Sequence, residues 1–249
     1  MTDWLVVTDL DGTLLDHDSY DWAPAQPALD RLKRLAIPLV LNSSKTRAEL
    51  RRLRQALALD TPFIAENGAV IDWGDGSGLG FAEPRQHLLD VLGRLREQGF
   101  AFEGFADWSQ AEIAARTGLP LQEAALAAER EYTEPLLWQG GPESLAAFTQ
   151  ALAHQGLQAQ QGGRFLTVMG QYSKGTAVQA LRARYPGRQL IALGDSPNDL
   201  SLLEAADLAV VVKSPRSEAL RPKVPTLRTR LPGPKGWNQA IEDILDNRS

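Results

Sequence analysis

The chain has 249 residues, of which 43% are hydrophobic and 23% charged, a balance typical of a globular protein. Its formal net charge of −5 argues against a nucleic-acid partner, because phosphate backbones are bound by clustered lysine and arginine. The absence of cysteine excludes a disulfide framework and a thiolate metal site and favours a cytoplasmic location, and no uncharged stretch is apolar enough to predict a membrane partner.

Strands and helices alternate in the first third of the chain. The apolar residues 4–8 predict a buried parallel strand. A helix at residues 29–35, a strand at 37–41, a second helix ending near residue 59 and a short strand at 63–65 are expected to follow. This alternation is typical of βαβ units and predicts a doubly wound parallel sheet.

The regular alternation of strands and helices ends at a glycine-rich turn at residues 74–80. The next segment predicts helices at 88–95, 111–129 and 143–153, strands at 100–105 and 132–138, and a hairpin at 157–168. The first alternation resumes with a helix at 174–184 and strands at 190–193 and 208–212. We therefore predict an α/β core in two parts, residues 1–83 and 169–249, with an inserted α+β domain at residues 84–168.

Two aspartates, Asp9 and Asp11, follow the first predicted strand, and Gly12 then allows a tight turn. Residues two apart on an extended chain point to the same side, so both carboxylates are expected at the carboxyl end of the strand, where open α/β sheets bind ligands. Acids this close repel each other unless a cation lies between them or one is protonated, and their oxygens suit Mg²⁺. The alternative is a turn with two solvated acids.

Further polar residues lie at the ends of predicted elements. Ser43 and Ser44 close the second strand, where they offer hydroxyl and backbone N–H groups, although either serine alone would also serve as a helix cap. Lys174 opens a helix, so its ammonium and the helix N-terminus would face an anion, whereas an isolated lysine there is usually exposed. Asp195 follows a strand, and Asp199, at the start of the next helix, would support a metal site or orient the lysine.

Together these groups predict phosphoryl transfer to a carboxylate. Asp9 would be the nucleophile and would form an aspartyl-phosphate. Mg²⁺ held by Asp9, the Asp11 carbonyl oxygen and Asp195 would neutralise charge on the phosphoryl oxygens, and Lys174 and Ser43 would hold the rest of the group. The Asp11 carboxyl would protonate the leaving oxygen and later deprotonate the attacking water.

The set resembles the four motifs of the haloacid dehalogenase superfamily, matched here by residues 9–13, Ser43, Lys174 and residues 194–199. The resemblance covers nearly the whole chain. An insert between the second and third motifs is what the C2-capped, type IIB members carry, which implies a Rossmann-like core and a cap domain that closes over it. The resemblance also implies Mg²⁺ as cofactor and a small phosphorylated molecule as substrate.

More narrowly, several segments look like the mannosyl-3-phosphoglycerate phosphatase family. They are residues 42–46, 66–69, 130–135, 163–165 and 232–237. This resemblance implies hydrolysis of a glycosyl-3-phosphoglycerate, which releases phosphate and a glycosylglycerate, a compatible solute. The family usually carries a His where this chain has Thr167 and an Asp where it has Ser173, and the preferred sugar or acid would shift at such departures.

The candidate substrate-binding residues are Ser44, Arg130, Glu131, Tyr132, Arg164 and Asn198. An arginine can bind a carboxylate through two hydrogen bonds, and the alternative for the charged residues of the insert is a surface ion pair.

The alternative functions for the protein are a phosphatase of another sugar phosphate and a phosphomutase of the same architecture. A receiver-type signalling module is much shorter and has no cap, and the missing membrane spans exclude a P-type pump.

Overall fold

The computed structural model describes residues 3–162 and 164–247. Gly163, one position of the motif at residues 163–165, therefore lies outside the described residues. The chain divides into two compact units. The core unit consists of Met1–Ser44, Ala56–Leu79 and Ser173–Ser249, and the inserted unit consists of Lys45–Gln55 and Gly80–Tyr172.

Twelve strands and nine α-helices are found within the described residues. The strands are β1 (Trp4–Thr8), β2 (Leu39–Asn42), β3 (Phe63–Ala65), β4 (Val70–Asp72), β5 (Gly78–Gly80), β6 (Phe102–Gly104), β7 (Glu134–Trp138), β8 (Leu157–Gln161), β9 (Leu166–Gly170), β10 (Gln189–Gly194), β11 (Leu208–Lys213) and β12 (Thr226–Pro232). The helices are α1 (Gln26–Arg34), α2 (Arg47–Ala56), α3 (Arg85–Glu97), α4 (Gln110–Thr117), α5 (Leu121–Ala128), α6 (Pro142–His154), α7 (Lys174–Arg182), α8 (Leu200–Glu204) and α9 (Gly233–Asp246). In the part of the chain that the structure describes, no helix has both the length and the apolar character needed to cross a membrane.

The larger sheet has eight strands among the described residues, in the order β12-β11-β10-β1-β2-β3-β4-β5. Strand β1 lies between β10 and β2 and pairs with both in parallel. All five of its residues are buried, as expected for a strand of a parallel sheet with both faces covered. The parallel pairing continues from β12 to β3, and β4 then pairs with β3 in the antiparallel sense, so the parallel core sheet ends in an antiparallel addition.

The inserted unit contains a separate antiparallel sheet in the order β6-β7-β9-β8. Helices α3 and α6 contribute Leu88, Leu92, Phe148 and Leu152 to the apolar core on this sheet. The predicted helical stretch at residues 111–129 is two helices, since α4 ends at Thr117 and the next residue, Gly118, adopts a φ of 80°. The predicted fold class, an α/β core with an inserted α+β domain of the C2 type, is confirmed.

Most of helix α2 belongs to the inserted unit, whereas the sequence pattern predicts that the whole of residues 1–83 lies in the core. The hydroxyl of Thr46, just before α2, donates to the carbonyl of Leu126 in α5 at 2.9 Å. Within the same unit, Arg52 of α2 pairs with Glu123 of α5 at 2.8 Å. These contacts account for the assignment, because they tie α2 to a helix of the inserted segment.

Four elements of the core unit were not predicted: β4, β5, β12 and α9. Strand β5 lies within the glycine-rich segment that we expected to be only a turn. Strand β12 forms an edge of the sheet and is mostly exposed. It was not predicted because its sequence lacks an apolar run of the kind found in β1 and β10. The sequence does carry a signal for helix α9, because the apolar residues Trp237, Ile241 and Ile244, which are buried in the structure, recur at helical spacing.

The start of α7, the helix that begins with Lys174, depends on a close approach to α8. A Cβ atom added to Gly175 would lie 2.3 Å from the backbone oxygen of Ser201. We expect Gly175→Ala to cost on the order of 1–3 kcal/mol, because the backbone of α8 must move, and to lower the thermal midpoint by several degrees. Gly93→Ala in α3 is the control, since a Cβ atom there meets nothing within 4 Å and should be neutral or stabilising. Equal midpoints for the two variants would contradict this account.

Candidate active site

Three neighbouring strands of the larger sheet are each followed by a polar residue at their carboxyl ends. Asp9 follows β1, and its N–H donates to the carbonyl of Leu193 in β10 at 2.9 Å. Ser43 follows β2, and Asp195 follows β10. Because β10, β1 and β2 are parallel neighbours, their carboxyl ends lie side by side, the place where open α/β sheets bind ligands.

Lys174 joins two of the predicted carboxylates. Its Nζ atom lies 2.5 Å from Oδ1 of Asp9 and 2.6 Å from Oδ1 of Asp199. The lysine side chain is 1% exposed, and that of Asp199 is fully buried. The alternative of a solvent-exposed lysine is therefore wrong, and the ammonium group is held in place by two charge-assisted hydrogen bonds.

The backbone around Lys174 is also fixed within the core unit. Ser173 caps α7, where its hydroxyl accepts from the N–H of Thr176 at 3.3 Å, so this serine has a structural role. The amide of Asn42, at the end of β2, donates to the carbonyl of Lys174 at 3.3 Å. A Cβ atom on Gly68 would lie 2.1 Å from the carbonyl oxygen of Ser173, so only glycine lets this turn approach so closely.

Asp199 divides its two oxygens between the lysine and its own loop. While Oδ1 binds Lys174, Oδ2 accepts from the N–H of Asp195 at 3.0 Å and from the N–H of Ser196 at 3.1 Å. The residue therefore orders the loop after β10 and orients the lysine at the same time. The second of these was one of the two roles expected from the sequence.

Asp195 has two hydroxyl partners that the sequence did not indicate. The side chain of Thr13 donates to its Oδ1 atom at 3.2 Å, and Ser214 donates to its backbone carbonyl at 2.9 Å. Thr13 lay within the first motif without an assigned role. Ser214, which follows β11, had no signal in the sequence, because only the pairing of β11 with β10 brings it near.

Burial and like charges raise the pKa values of the two strand-end aspartates. Burial, followed by the charge of Asp199, raises the pKa of Asp9 to about 8 although Lys174 opposes the change. The same two causes raise the pKa of Asp195 to about 6. Burial disfavours the charged form of Lys174, but Asp199 and Asp9 outweigh it and hold the pKa of the lysine above its ordinary value. The ammonium group therefore stays charged, while the carboxylates repel one another.

The acidic residues have the arrangement of a site for a hard divalent cation. In the described part of the chain, Asp9, Asp195 and Asp199 each offer a buried carboxylate oxygen, and these oxygens lie within 4.8 Å of one another. Three carboxylates face a single lysine, so the cluster has excess negative charge that a divalent cation would balance. Oxygen ligands are those that Mg²⁺ prefers, and the predicted cofactor thus fits the residues present. The side chain of Asp11 is not a member of this group.

The remaining candidates of the core unit occupy different environments. Ser43 is buried, and its carbonyl accepts from the N–H of Asn67 at 2.9 Å. Asp11, Ser44 and Asn198 are half-buried. The Oδ1 atom of Asn198 accepts from the hydroxyl of Ser196 at 2.6 Å.

The candidates of the inserted unit engage neighbours within that unit. Their contacts are Arg130 with the hydroxyl of Thr133 at 2.8 Å, Glu131 with Arg47 at 3.1 Å, the carbonyl of Tyr132 with the hydroxyl of Tyr172 at 3.3 Å, and Arg164 with the carbonyl of Arg116. Glu131 thus forms an ion pair with Arg47, the alternative expected for the charged residues of the insert. Thr167 is half-buried in β9, where it pairs with Pro135 and Gln160 of the adjacent strands.

A buried lysine between two aspartates at the carboxyl edge of an α/β sheet, together with an inserted α+β unit, defines a recognised class of hydrolase. The chain belongs to the haloacid dehalogenase-like hydrolases, since the model of that family matches residues 6–83 and 137–221. The superfamily resemblance stated from the motifs is thereby confirmed.

Solved structures share this fold over nearly their full length. A Bacteroides thetaiotaomicron protein, described among phosphatases of the haloalkanoate enzyme superfamily, is 21% identical with a TM-score of 0.72, over 97% of this chain and 95% of that one. A subclass IIB sugar phosphatase is 14% identical with a TM-score of 0.73, over 97% and 98%. The sucrose-phosphatase of Synechocystis sp. PCC6803, solved with sucrose and phosphate, is 20% identical with a TM-score of 0.64, over 98% of both chains. At these identities the likeness establishes the fold.

Proposed function

We propose that this protein is a Mg²⁺-dependent phosphomonoester hydrolase that acts through an aspartyl-phosphate on Asp9. The observation that carries the proposal is the position of Lys174, whose ammonium lies between Asp9 and Asp199 in a buried carboxylate cluster. A lysine in that place can bind a phosphoryl oxygen and keep the nucleophile oriented at once. Such positioning and charge stabilisation supply most of the catalysis in phosphoryl transfer.

The reaction would proceed in two displacements. An oxygen of the Asp9 carboxylate forms a bond to phosphorus as the ester bond breaks, and the Asp11 carboxyl gives its proton to the leaving alkoxide. A water molecule then attacks phosphorus, Asp11 takes its proton, and the bond between Asp9 and phosphorus breaks to release phosphate. Ser43 and Lys174 would bind the phosphoryl oxygens in both steps.

Asp9, Asp195 and the carbonyl of Asp11 would hold the Mg²⁺ ion, and Asp199 would contribute a ligand or support the site. When bound, the ion supplies positive charge to the phosphoryl oxygens. The three buried carboxylate oxygens that lie within 4.8 Å of one another support this assignment, and a nearby cation would favour the ionised form of Asp9 that the nucleophile needs.

For the substrate we propose a glycosyl-3-phosphoglycerate, with mannosyl-3-phosphoglycerate first. Support comes from the motifs that resemble the mannosyl-3-phosphoglycerate phosphatase family and from structural neighbours described as a sugar phosphatase and a sucrose-phosphatase. The sugar and the carboxylate of the substrate would be bound by Arg130, Glu131, Tyr132 and Arg164. The phosphate group would lie near Ser44 and Asn198. The second substrate candidate is another sugar phosphate, since Thr167 and Ser173 stand where the mannosyl-3-phosphoglycerate phosphatase family usually carries His and Asp.

A phosphate-release screen tests both levels of the proposal. The panel contains mannosyl- and glucosyl-3-phosphoglycerate, 3-phosphoglycerate, hexose phosphates and p-nitrophenyl phosphate, each assayed with Mg²⁺ and with excess chelator. We expect release only with Mg²⁺ and the highest kcat/KM for a glycosyl compound, because remote contacts contribute to transition-state binding. No preference for either glycosyl compound would overturn the substrate, and transfer to a second hydroxyl without phosphate release would indicate a phosphomutase.

The metal assignment predicts a specific effect of Asp195→Asn. We expect the variant to need about 10–100-fold more Mg²⁺ for half-maximal activity, because a neutral amide is a poorer ligand and the cluster loses one negative charge. A Mg²⁺ titration of phosphate release measures the change. Asp243→Asn on the exposed face of α9 is the control and should titrate like the wild type. Full activity of the wild type in excess chelator would contradict the assignment.

A further inference from the structure

The motif at residues 232–237 has no part in the proposed chemistry, yet it ends on a buried side chain that reaches the strand of the nucleophile. Trp237 in α9 is fully buried, and its Nε1 atom donates to the hydroxyl of Thr8 at 3.0 Å. That hydroxyl donates in turn to the backbone carbonyl of Asp9 at 2.7 Å. Thr8 is also fully buried. A chain of two hydrogen bonds therefore connects α9 to the main chain of Asp9.

The donors determine the direction in which these two hydrogen bonds run. An indole N–H can only donate, so the Thr8 hydroxyl must act as acceptor toward Trp237. The single hydroxyl proton is then left for the carbonyl of Asp9. On its other side, the N–H of Asp9 donates to Leu193 at 2.9 Å. The peptide groups on both sides of the Asp9 side chain are thus fixed at the point where β1 leaves the sheet.

Two glycines of the motif allow the tryptophan to reach this position. A Cβ atom on Gly236 would lie 2.0 Å from the carbonyl oxygen of Leu231, so the turn between β12 and α9 closes only with glycine there. Gly233 adopts a φ of 50°, and a Cβ atom on it would lie 4.0 Å from the carbonyl oxygen of Gly12. The N-terminus of α9 therefore packs beside the loop that carries the acidic pair.

We propose that Trp237 and Thr8 are positioning residues that hold the main chain of Asp9, and through it the direction of its carboxylate. This inference rests on the proposed function, in which Asp9 is the nucleophile. Small displacements of a reacting group lower the rate of the chemical step more than they weaken substrate binding. The effect of breaking the chain should therefore appear in kcat rather than in KM.

The test compares Thr8→Val, Thr8→Ser, Trp237→Phe and the double variant Thr8→Val/Trp237→Phe. We expect Thr8→Val and Trp237→Phe each to lower kcat by about tenfold, with KM changed by less than about twofold, and the double variant to be no slower than either single one. Thr8→Ser keeps the hydroxyl and should restore most of kcat. Trp4→Phe, at the opposite end of β1, is the matched control and should lower the thermal midpoint without lowering kcat.

A second measurement separates this inference from the proposed function. In a ¹H–¹⁵N NMR spectrum, the Trp237 indole signal, identified by its loss in Trp237→Phe, should shift in Thr8→Val, and the Asp9 amide signal should shift in both variants. If the wild type releases no phosphate from any ester, the proposed function is wrong. An unchanged Asp9 amide signal, or wild-type kcat in Thr8→Val, overturns the positioning role, as does a Thr8→Ser variant as slow as Thr8→Val.

Discussion

Asp9→Asn is expected to fold like the wild type and to lose at least about three orders of magnitude in turnover. The amide has nearly the shape of the carboxylate, and its oxygen can still accept from Lys174, but it cannot attack phosphorus. Stability should not fall, because burial and the neighbouring charge of Asp199 raise the pKa of Asp9 and so disfavour its charged form. Phosphate release and thermal unfolding are measured side by side for this variant and the wild type.

The control is Asp243→Asn, the same chemical change at an exposed position, which should leave both readouts unchanged. Asp9→Asn activity within about tenfold of the wild type would remove Asp9 from the role of nucleophile. Loss of activity together with a much lower thermal midpoint would instead indicate that the variant fails to fold.

Lys174→Met is expected to lower both activity and stability, in contrast to Asp9→Asn. Methionine fills a similar volume, but it leaves the carboxylates of Asp9 and Asp199 without their buried cation. Breaking a buried ion pair by removing one partner costs roughly 3–5 kcal/mol, and we expect turnover to fall by about three orders of magnitude, since the phosphoryl oxygens lose a ligand.

Denaturant unfolding with and without Mg²⁺ measures this effect. Mg²⁺ should stabilise Lys174→Met more than the wild type, because the variant keeps the three carboxylates but has lost the charge of Lys174. Lys33→Met on the exposed side of α1 is the matched control and should behave like the wild type. A wild-type free energy of unfolding for Lys174→Met would show that the lysine does not balance the cluster.

The sequence predicted the acidic residues of the site because each lies at the end of a recognisable element. Asp9 and Asp195 directly follow apolar strands, so parallel pairing of those strands brings the two carboxylates together at the carboxyl ends. Lys174 is recognisable because it begins a helix. What the sequence could not predict is which oxygen binds which partner. The division of Asp199 between Lys174 and the loop after β10 depends on the folded positions of the lysine and the loop, which residue spacing does not encode.

Contacts between distant segments were missed for a related reason. Trp237 and Thr8 are 229 positions apart, and neither lies in a pattern that indicates the other. The exposed edge strand β12 lacks an apolar run, so its place beside β11 was not visible either. The charged residues of the inserted unit were predicted as candidate binding residues, but their partners were not. Glu131, for example, pairs with Arg47 of α2, a helix that the sequence pattern places in the core.

The wide separation of the site residues along the chain also bears on how the protein is made. Asp9 and Lys174 are 165 positions apart, and Thr13 and Asp195 are 182 apart. Strand β1 cannot obtain its partner β10 until the intervening inserted segment has left the ribosome, and loop closure of this length is slow. Until then β1 is an apolar strand with one edge unpaired, so a nascent chain stopped before β10 should be bound by chaperones and should lack the carboxylate cluster altogether.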